Sequence, residues 1–488
     1  MTSRRLAAAG LGLLALLAVG LGFRGRAGEV RATAHGVVND DRPHTLDAHT
    51  SPATAADPAR PEVILVADRI DTPRSSCSLA LSTNGGVNWR PVELPLPPGA
   101  PNCFWPDVAW TSGGEALVLF SATGGANNQP VGTWLQRLRD GAATGPAVAV
   151  TGAHAFHPRV AAHGQQVVVT WVQAGPATTA RPIGFAPEPN PLMAAASADG
   201  GRSFSPAVAV GDPALRLVVP DVVVGPRGSV VVSALDLGAD EADYSALHEA
   251  RGGPAPEGTW RVLTWTSADG GGRFADAAVV AEVEIPQRIN VDLGSPRPGL
   301  ARDGRDGRLY ATWESGRGSR RQVYLSWSDD TGASWSPARL VADRRGTQTL
   351  PAVDVAPDGR VDVVFYDRSV DPEDVRTEVA QASSWDEGRS FTVTTVSARR
   401  FDSRIGWGSF QDLAVQGTQI AVLSGERGSV ALWSDASRAT RDDNRLDLAV
   451  ALVSTEAPRA RRPFLFPLAA VLAAAAVATA AAPSPRRR

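Results

Sequence analysis

The chain has 488 residues and a formal net charge of −3, from 48 lysines and arginines against 51 aspartates and glutamates. This balance gives no electrostatic basis for nucleic-acid binding, which requires a clustered basic face. The length suits several ordinary domains or one large domain built from repeats. The 48 glycines and 37 prolines favour many tight turns between short strands.

Residues 1–34 are predicted to be a signal peptide or an N-terminal anchor. Arg4 and Arg5 precede an apolar run over residues 6–23, which is the order of an export signal. Cleavage is expected after a small-residue stretch such as 32–34. An uncleaved anchor is the alternative, because the run is nearly long enough to span a bilayer. Residues 35–47 are predicted to be a linker or a strand that closes the following domain.

Residues 456–488 are predicted to be a transmembrane segment with a basic tail. Residues 464–482 are 19 uncharged residues, and the three arginines 486–488 follow shortly after them. This is the length of a bilayer-spanning helix with a basic stop. Together with an export signal, it predicts that residues 35–458 lie outside the cytoplasm, anchored at the cell surface.

The chain has two cysteines, Cys77 and Cys103. In an exported protein such a pair persists as a disulfide, because the compartment is oxidising. The loop it closes is worth about 3 kcal/mol by chain-entropy estimates. A metal pair is not favoured, since no cluster of His or Cys accompanies the two thiols. We expect a disulfide, and neither a metal nor a cofactor.

A turn motif with the pattern Ser-x-Asp/Asn-x-Gly-x-x-aromatic recurs along the chain. Its five copies are Ser82–Trp89, Ser197–Phe204, Ser267–Phe274, Ser328–Trp335 and Ser384–Phe391. The acidic or amide side chain can accept hydrogen bonds from backbone N–H groups further along the turn, and the glycine accepts a positive φ. The fourth copy lies between two β-type runs, so the motif predicts a hairpin turn.

A second landmark recurs seven times, where a short strand opens near a proline or, in the last copy, a glutamine. The seven positions are Pro52, Pro106, Pro158, Pro220, Pro298, Pro351 and Gln411. A β-rich second strand follows each of them, so that one unit contains four strands. Units of this kind repeated radially predict an all-β fold, a β-propeller of seven four-stranded blades, with six blades as the alternative.

The turn motif resembles the Asp-box of the sialidase-like BNR-repeat propeller family, over about residues 48–453. We therefore assign residues 48–455 to a sialidase-like propeller. Enzymes of that family usually have six blades, so the count of seven is a departure. The segment Glu29–Val38 is a candidate for a strand that closes the last blade.

Propeller geometry places the Asp-box turns on the face opposite to the loops that join second and third strands. Two of these second-to-third loops are long insertions, 174–191 and 238–258. Insertions on one face of a repeat array usually mark its binding face. His157 opens a first strand and His163 lies in the turn after it, so these two side chains cannot converge on a metal.

Acidic and arginine side chains recur at the ends of the predicted second strands. The candidate substrate-binding residues are Asp68, Arg69, Arg317, Asp367, Arg368, Glu426 and Arg427. Arginine can hold a sugar carboxylate bidentately, and paired carboxylates suit glycosidic cleavage. The alternative is that these acid–arginine pairs brace neighbouring blades.

The resemblance also suggests catalytic candidates: Asp71 for the family's general acid, and Tyr366 with Glu314 for a tyrosine nucleophile assisted by a glutamate. The family's first-strand Arg-Ile-Pro motif is missing, because the corresponding residues are His49–Pro52. This departure weighs against full catalytic competence.

Two functions follow from this pattern. The first is a membrane-anchored propeller that recognises extracellular glycans or glycoproteins and hydrolyses terminal sialic-acid-type glycosides. The second is a non-catalytic propeller that binds protein or carbohydrate at the cell surface. In either case we expect a monomer with no nucleic-acid partner.

Overall fold

The computed structural model describes most of the region between the two termini. The described residues are 28–39, 47–71, 75–124, 129–175, 189–238, 258–284, 297–316, 321–405, 417–440, 443, 445–458, 471, 473–475 and 477. Residues 30–454 form one compact unit. This unit contains seven antiparallel sheets of four or five strands, which confirms the prediction of a seven-bladed β-propeller.

The first three blades follow the chain in order, from the innermost strand outwards. Blade 1 consists of β2 (His49–Asp57), β3 (Arg60–Ile70), β4 (Ser76–Ser82) and β5 (Arg90–Pro91). Blade 2 consists of β6 (Phe104–Trp110), β7 (Ala116–Gly124), β8 (Gln129–Arg139), β9 (Ala142–Ala143) and β10 (Val148–Thr151). Blade 3 consists of β11 (Ala155–His163), β12 (Gln166–Gln173), β13 (Leu192–Ser197) and β14 (Val208–Ala209).

The next three blades keep the same order. Blade 4 consists of β15 (Leu217–Val224), β16 (Val230–Asp236), β17 (Trp260–Ser267) and β18 (Ala278–Val283), with a 3₁₀ turn at Pro226–Gly228. Blade 5 consists of β19 (Gly299–Arg302), β20 (Leu309–Ser315), β21 (Gln322–Ser328) and β22 (Arg339–Leu340). Blade 6 consists of β23 (Gln348–Val355), β24 (Val361–Asp367), β25 (Arg376–Ser384), β26 (Thr392–Thr395) and β27 (Phe401–Asp402).

Blade 7 joins the two ends of the propeller. It consists of β28 (Ala421–Gly425), β29 (Gly428–Asp435), β30 (Asp447–Glu456) and, as its outermost strand, β1 (Glu29–Val37). The strand expected to close the last blade is therefore confirmed. Because β1 comes from the start of the chain and β30 from its end, their pairing closes the ring of blades.

The core lies between adjacent blades, where apolar side chains of neighbouring sheets interdigitate. Ile64 and Val66 of blade 1 pack with Val430 and Leu432 of blade 7, and all four are buried. The middle strands read as nearly continuous apolar runs because both of their faces are covered, as in Val167–Val172 of β12.

The proline landmark marks a β-bulge in five of the inner strands. The residue before the proline has a positive φ in each of these strands: Ser51, Trp105, His157, Val219 and Leu350. The pairing register of each strand shifts at the same point. Non-glycine residues with positive φ are uncommon and concentrate at functional sites. The repeated bulge re-aims the side chains at the start of each inner strand.

The five turn motifs all join the third strand of a blade to its fourth, as predicted. In the copy that begins at Ser328, the serine Oγ donates to Asp330 Oδ1 (2.8 Å) and accepts from the backbone N–H of Gly332 (2.8 Å). Asp330 Oδ1 also accepts from the backbone N–H of Ser334 (2.9 Å). The same serine and acidic or amide pairing recurs in the other four copies.

The two long insertions do join second to third strands, between β12 and β13 and between β16 and β17. Most of both insertions lies outside the described residues, as do the apolar run 6–23, most of residues 464–482 and the landmark glutamine at 411. Within the described part of the chain, no helix is long and apolar enough to cross a membrane.

Candidate functional site

The seven inner strands surround a channel that contains a cavity of about 290 Å³. The residues that follow the landmark proline line this channel: Ala53, Asp107, Arg159, Asp221, Gly299 and Ala352, with Gln419 from blade 7. Three consecutive blades, the second to the fourth, therefore place a charged side chain at the same position of the repeat.

Arg159 connects the two carboxylates on either side of it. Its Nη1 donates to Asp107 Oδ1 (2.9 Å), and its Nη2 donates to Asp221 Oδ1 (3.1 Å). Its Nη1 also reaches Gln419 Oε1 (3.4 Å) in blade 7. Burial lowers the pKa of Arg159, but the two carboxylates outweigh burial and raise it, so the guanidinium stays charged.

Arg297 stands apart from this network. It precedes Pro298 at the start of blade 5, is only 8% exposed, and lines the channel cavity. Within the described part of the chain, its Nε and Nη1 have no hydrogen-bond partner. Burial, followed by the charge of Arg159, lowers the pKa of Arg297 to about 9, so it remains protonated at neutral pH.

Aromatic side chains from blades 2 and 3 pack together where the inner strands begin. The Trp105 ring lies 4.7 Å from Phe104, 5.5 Å from Phe156 and 5.1 Å from His157, measured between ring centroids. Phe104, Trp105 and Phe156 are partly exposed. Trp105 and His157 are the bulged residues of their strands, and their two rings contact each other across the boundary between blades 2 and 3.

Arg69 extends this cluster from blade 1. Its guanidinium carbon lies 4.6 Å above the Phe104 ring, a cation–π arrangement. Its Nη2 donates to Asp71 Oδ2 (2.9 Å), and its Nε lies 2.6 Å from Asp71 Oδ1 in an ion pair. Thr50 Oγ1 donates to the same carboxylate (2.6 Å). The Arg69 side chain is thus held between the Asp71 carboxylate and the Phe104 ring.

The predicted disulfide is confirmed and lies beside this cluster. Cys77 and Cys103 are bonded, with their Cα atoms 5.4 Å apart. Cys77 pairs with Arg69 across β3 and β4, and Cys103 directly precedes Phe104. The disulfide therefore ties Arg69 and Phe104 to each other across the boundary between two blades.

We call this group of side chains the mouth cluster. It consists of Arg69, Phe104, Trp105, Phe156, His157 and Arg297. Burial, followed by the charges of Arg297 and Arg69, lowers the pKa of His157 to about 3, so its imidazole is neutral at physiological pH. His157 lies near the start of β11 and His163 at its end. No group of three or more His, Cys, Asp or Glu within the described ranges is arranged to hold a metal.

The carboxylates predicted at the ends of second strands are buried and hydrogen-bonded. Asp68 Oδ2 shares a hydrogen bond with His49 Nδ1 (2.6 Å). Glu314 accepts from Arg321 Nη1 (3.2 Å) and from the backbone N–H of residue 350 in the next blade (2.9 Å). Asp367 pairs with Arg344 (2.8 Å). This arrangement matches bracing of neighbouring strands and blades, the alternative given for these pairs.

Tyr366 belongs to blade 6 and Glu314 to blade 5, and each contacts the next blade along the chain. Tyr366 is 1% exposed, and its hydroxyl accepts from the backbone N–H of Ser434 (3.0 Å) in blade 7. Glu314 instead reaches the first strand of blade 6 from blade 5. Arg368 donates to Thr377 Oγ1 (3.1 Å) and to a neighbouring serine hydroxyl. The structure does not bring the tyrosine and the glutamate together, and their catalytic roles stay predictions.

The placement predicted for Glu426 and Arg427 is wrong. They form the turn between β28 and β29, which are the first and second described strands of blade 7, because β28 contacts the inner strands β2 and β23. The pair therefore lies on the face opposite to the mouth cluster. Arg317 lies outside the described residues.

Several side chains of the channel were not among the predicted site residues: Asp107, Trp105, Arg159, Asp221 and Arg297. All of them flank the landmark proline that revealed the repeat. The signal that could have identified the charged ones is the change of residue type at the two positions that flank the proline, where an apolar or small residue in some blades is charged in others.

No protein-family model matches the chain, and no curated protein sequence matches it. An ulvan lyase from a new polysaccharide-lyase family is similar at 12% identity over 90% of this chain and 99% of that one, with a TM-score of 0.51. A structure of such a lyase bound to -[GlcA(1-4)Rha3S]- matches at 12% identity over 87% and 98%, with a TM-score of 0.50. A Hadza microbial sialidase matches at 12% identity over 80% and 73%, with a TM-score of 0.43. The lyases share the propeller fold with this chain, whereas the sialidase match is too weak to support an argument.

Proposed function

We propose that this protein is an exported, membrane-anchored propeller that binds extracellular glycans at the mouth cluster. The observation that carries the proposal is the packing of Phe104, Trp105 and Phe156 at the channel mouth, with Arg69 over one ring. Aromatic faces cover the C–H faces of sugar rings, and a cleft with few placed polar groups is a typical ligand site.

Two further observations support this proposal. The disulfide beside the cluster fits an oxidising, extracytoplasmic compartment. Among the proteins that share the fold, the ulvan lyase acts on a polysaccharide and has been solved with a bound glycan. The first observation agrees with an extracellular location, and the second agrees with a glycan partner.

A glycan array probed with the full-length protein tests the proposal. We expect the wild type to bind a subset of the glycans and the Trp105→Ala variant to lose that binding. Trp327→Ala is a matched control, because Trp327 is a partly exposed tryptophan that carries an arginine, Arg389, beside a turn on the opposite face. Equal binding by all three proteins would contradict a site at the mouth.

Hydrolysis of terminal sialic-acid-type glycosides is the second candidate function. It is favoured by the position of Asp71, whose carboxylate lies in the mouth beside Arg69. A carboxyl group at this place could protonate a leaving group, the role that the resemblance suggests for it. Turnover of a fluorogenic sialoside that disappears in Asp71→Asn would support hydrolysis. Glycan binding without turnover would leave the protein as a binding propeller.

A further inference from the structure

The guanidinium of Arg297 takes no part in the hydrogen-bond network of the channel described above. It is buried, it lines the channel cavity, and its Nε and Nη1 have no hydrogen-bond partner among the described residues. A buried charge without hydrogen bonds is costly, so proteins normally pair it or use it to bind a ligand.

The two carboxylates that act on Arg297, Asp107 and Asp221, already accept hydrogen bonds from other groups. Asp107 accepts from Arg159 and from the backbone N–H of Val160 (2.8 Å). Asp221 accepts from the same arginine and from the backbone N–H of Leu300 (3.0 Å). These carboxylates offset part of the charge of Arg297 at a distance, but neither accepts a hydrogen bond from its Nε or Nη1.

The other described residues that act on Arg297 or on His157 beside it, Arg69 and Arg159, are cations and offer no counter-charge. His157 is neutral, and the Arg69 guanidinium is itself positive and held by Asp71. The groups of the mouth therefore leave one cation facing a cavity, next to an aromatic surface. The ligand that complements this arrangement has an apolar ring face and an oxyanion.

Resting on the function proposed above, we infer that Arg297 binds the oxyanion of an acidic sugar, a carboxylate or a sulfate ester, inside the channel cavity. A cavity of about 290 Å³ has room for such a group and part of one sugar ring. The planar guanidinium suits either oxyanion, because both present two oxygens in its plane. Arg297 would thus select acidic over neutral glycans.

Calorimetric titration of the full-length protein with glucuronate, glucose 6-sulfate and glucose tests this inference. We expect at least one acidic sugar to bind about tenfold to a hundredfold more tightly than glucose, the range for charge-assisted hydrogen bonds. Arg297→Gln should bring that affinity down to the value for glucose. Arg427→Gln, which changes an arginine in a turn on the opposite face, should leave it unchanged.

Competition in the wild type keeps the test valid if Arg297→Gln fails to fold. Inorganic sulfate should displace the acidic sugar but not a neutral glycan found on the array. The relative affinities of glucuronate and glucose 6-sulfate distinguish the two sources of the oxyanion. An acidic sugar that binds no better than glucose, or whose binding resists both sulfate and Arg297→Gln, would overturn the inference while leaving glycan binding intact. Failure of every glycan to bind would instead refute the proposed function.

Discussion

Asp221 of blade 4 accepts a hydrogen bond from the backbone N–H of Leu300 in blade 5 (3.0 Å). Asp107 of blade 2 does the same for Val160 of blade 3 (2.8 Å). Each carboxylate therefore links its own inner strand to the next one. Arg159 lies between the two carboxylates and pairs with both of them, so three adjacent blade boundaries depend on one arginine.

We expect Arg159→Met to lower the free energy of unfolding by about 3 kcal/mol, because it leaves two buried carboxylates without the guanidinium that they share. Arg60→Met is the matched control. Arg60 also pairs with a buried carboxylate, Asp57, but its own side chain is 44% exposed. Its loss should cost much less than that of Arg159, because solvent screens a pair with an exposed partner. Urea denaturation of both variants measures the difference, and equal losses would contradict the role given to Arg159.

Two of the five turn motifs carry a non-glycine residue where the others have glycine at positive φ. These residues are Thr331 (φ 60°) and Glu387 (φ 65°). We expect Thr331→Gly to stabilise the protein by about 0.5–1 kcal/mol, since a β-branched residue is strained in this region. Glu387→Gly should gain less, because Glu387 pairs with Arg308 and Arg389. Chemical denaturation compares the two, and a destabilised Thr331→Gly would contradict the argument.

Stability should depend on pH through Asp354, which lines the channel cavity in β23. Burial is the main cause that raises the pKa of Asp354 to about 7, and the charge of Asp362 raises it further. The hydrogen bond from the backbone N–H of Ser424 and the charge of Arg360 lower this pKa, but they do not outweigh burial. A carboxyl whose folded-state pKa is raised contributes most to the stability of the folded protein at a pH below its ordinary pKa of about 3.9. That contribution to stability is lost as the pH rises through about 7.

We therefore expect Asp354→Asn, which resembles the protonated acid, to gain stability relative to the wild type as the pH rises from 5 to 8. Melting temperatures of the two proteins across this range provide the measurement. If the difference between them stayed constant with pH, Asp354 would not titrate in the folded protein as described.

The closing strand β1 predicts where the N-terminus can be processed. β1 includes residues 32–34, after which the sequence predicts cleavage. Removal of residues 1–37 should lower the free energy of unfolding by at least about 3 kcal/mol. It exposes the edge of β30 that pairs with β1, and it removes the buried side chain of Val30. Removal of residues 1–28 should leave it unchanged.

We propose accordingly that any cleavage of the exported chain occurs before Glu29. N-terminal sequencing of the exported protein tests this directly. A mature chain that begins after residue 34 would show that blade 7 closes without an intact β1.

The fold could be predicted because its signals are local and repeated. Gly332 after Asp330 encodes one turn, and the same chemistry occurs in four more blades. Blade 7 was harder to place, because it lacks both the proline and a clear turn motif. The turn at Glu426 was consequently assigned to the wrong face.

The candidate site could be predicted only in part. Arg69 was identified from an acid–arginine pair at a strand end and Asp71 from the family resemblance, and both lie at the channel mouth. Arg159 and Arg297 were not, because they come together through the circular arrangement of blades rather than through proximity in the sequence. Their partners lie in other repeats, so a single repeat does not reveal them.

The most direct test of a glycan site at the channel mouth is calorimetric titration of the tightest glycan from the array into the wild type, Trp105→Ala and Trp327→Ala. Truncation of a stacking aromatic should weaken binding about tenfold or more. The account predicts that loss for Trp105→Ala and an unchanged affinity for Trp327→Ala. An unchanged affinity in Trp105→Ala, with its fold intact, would contradict it.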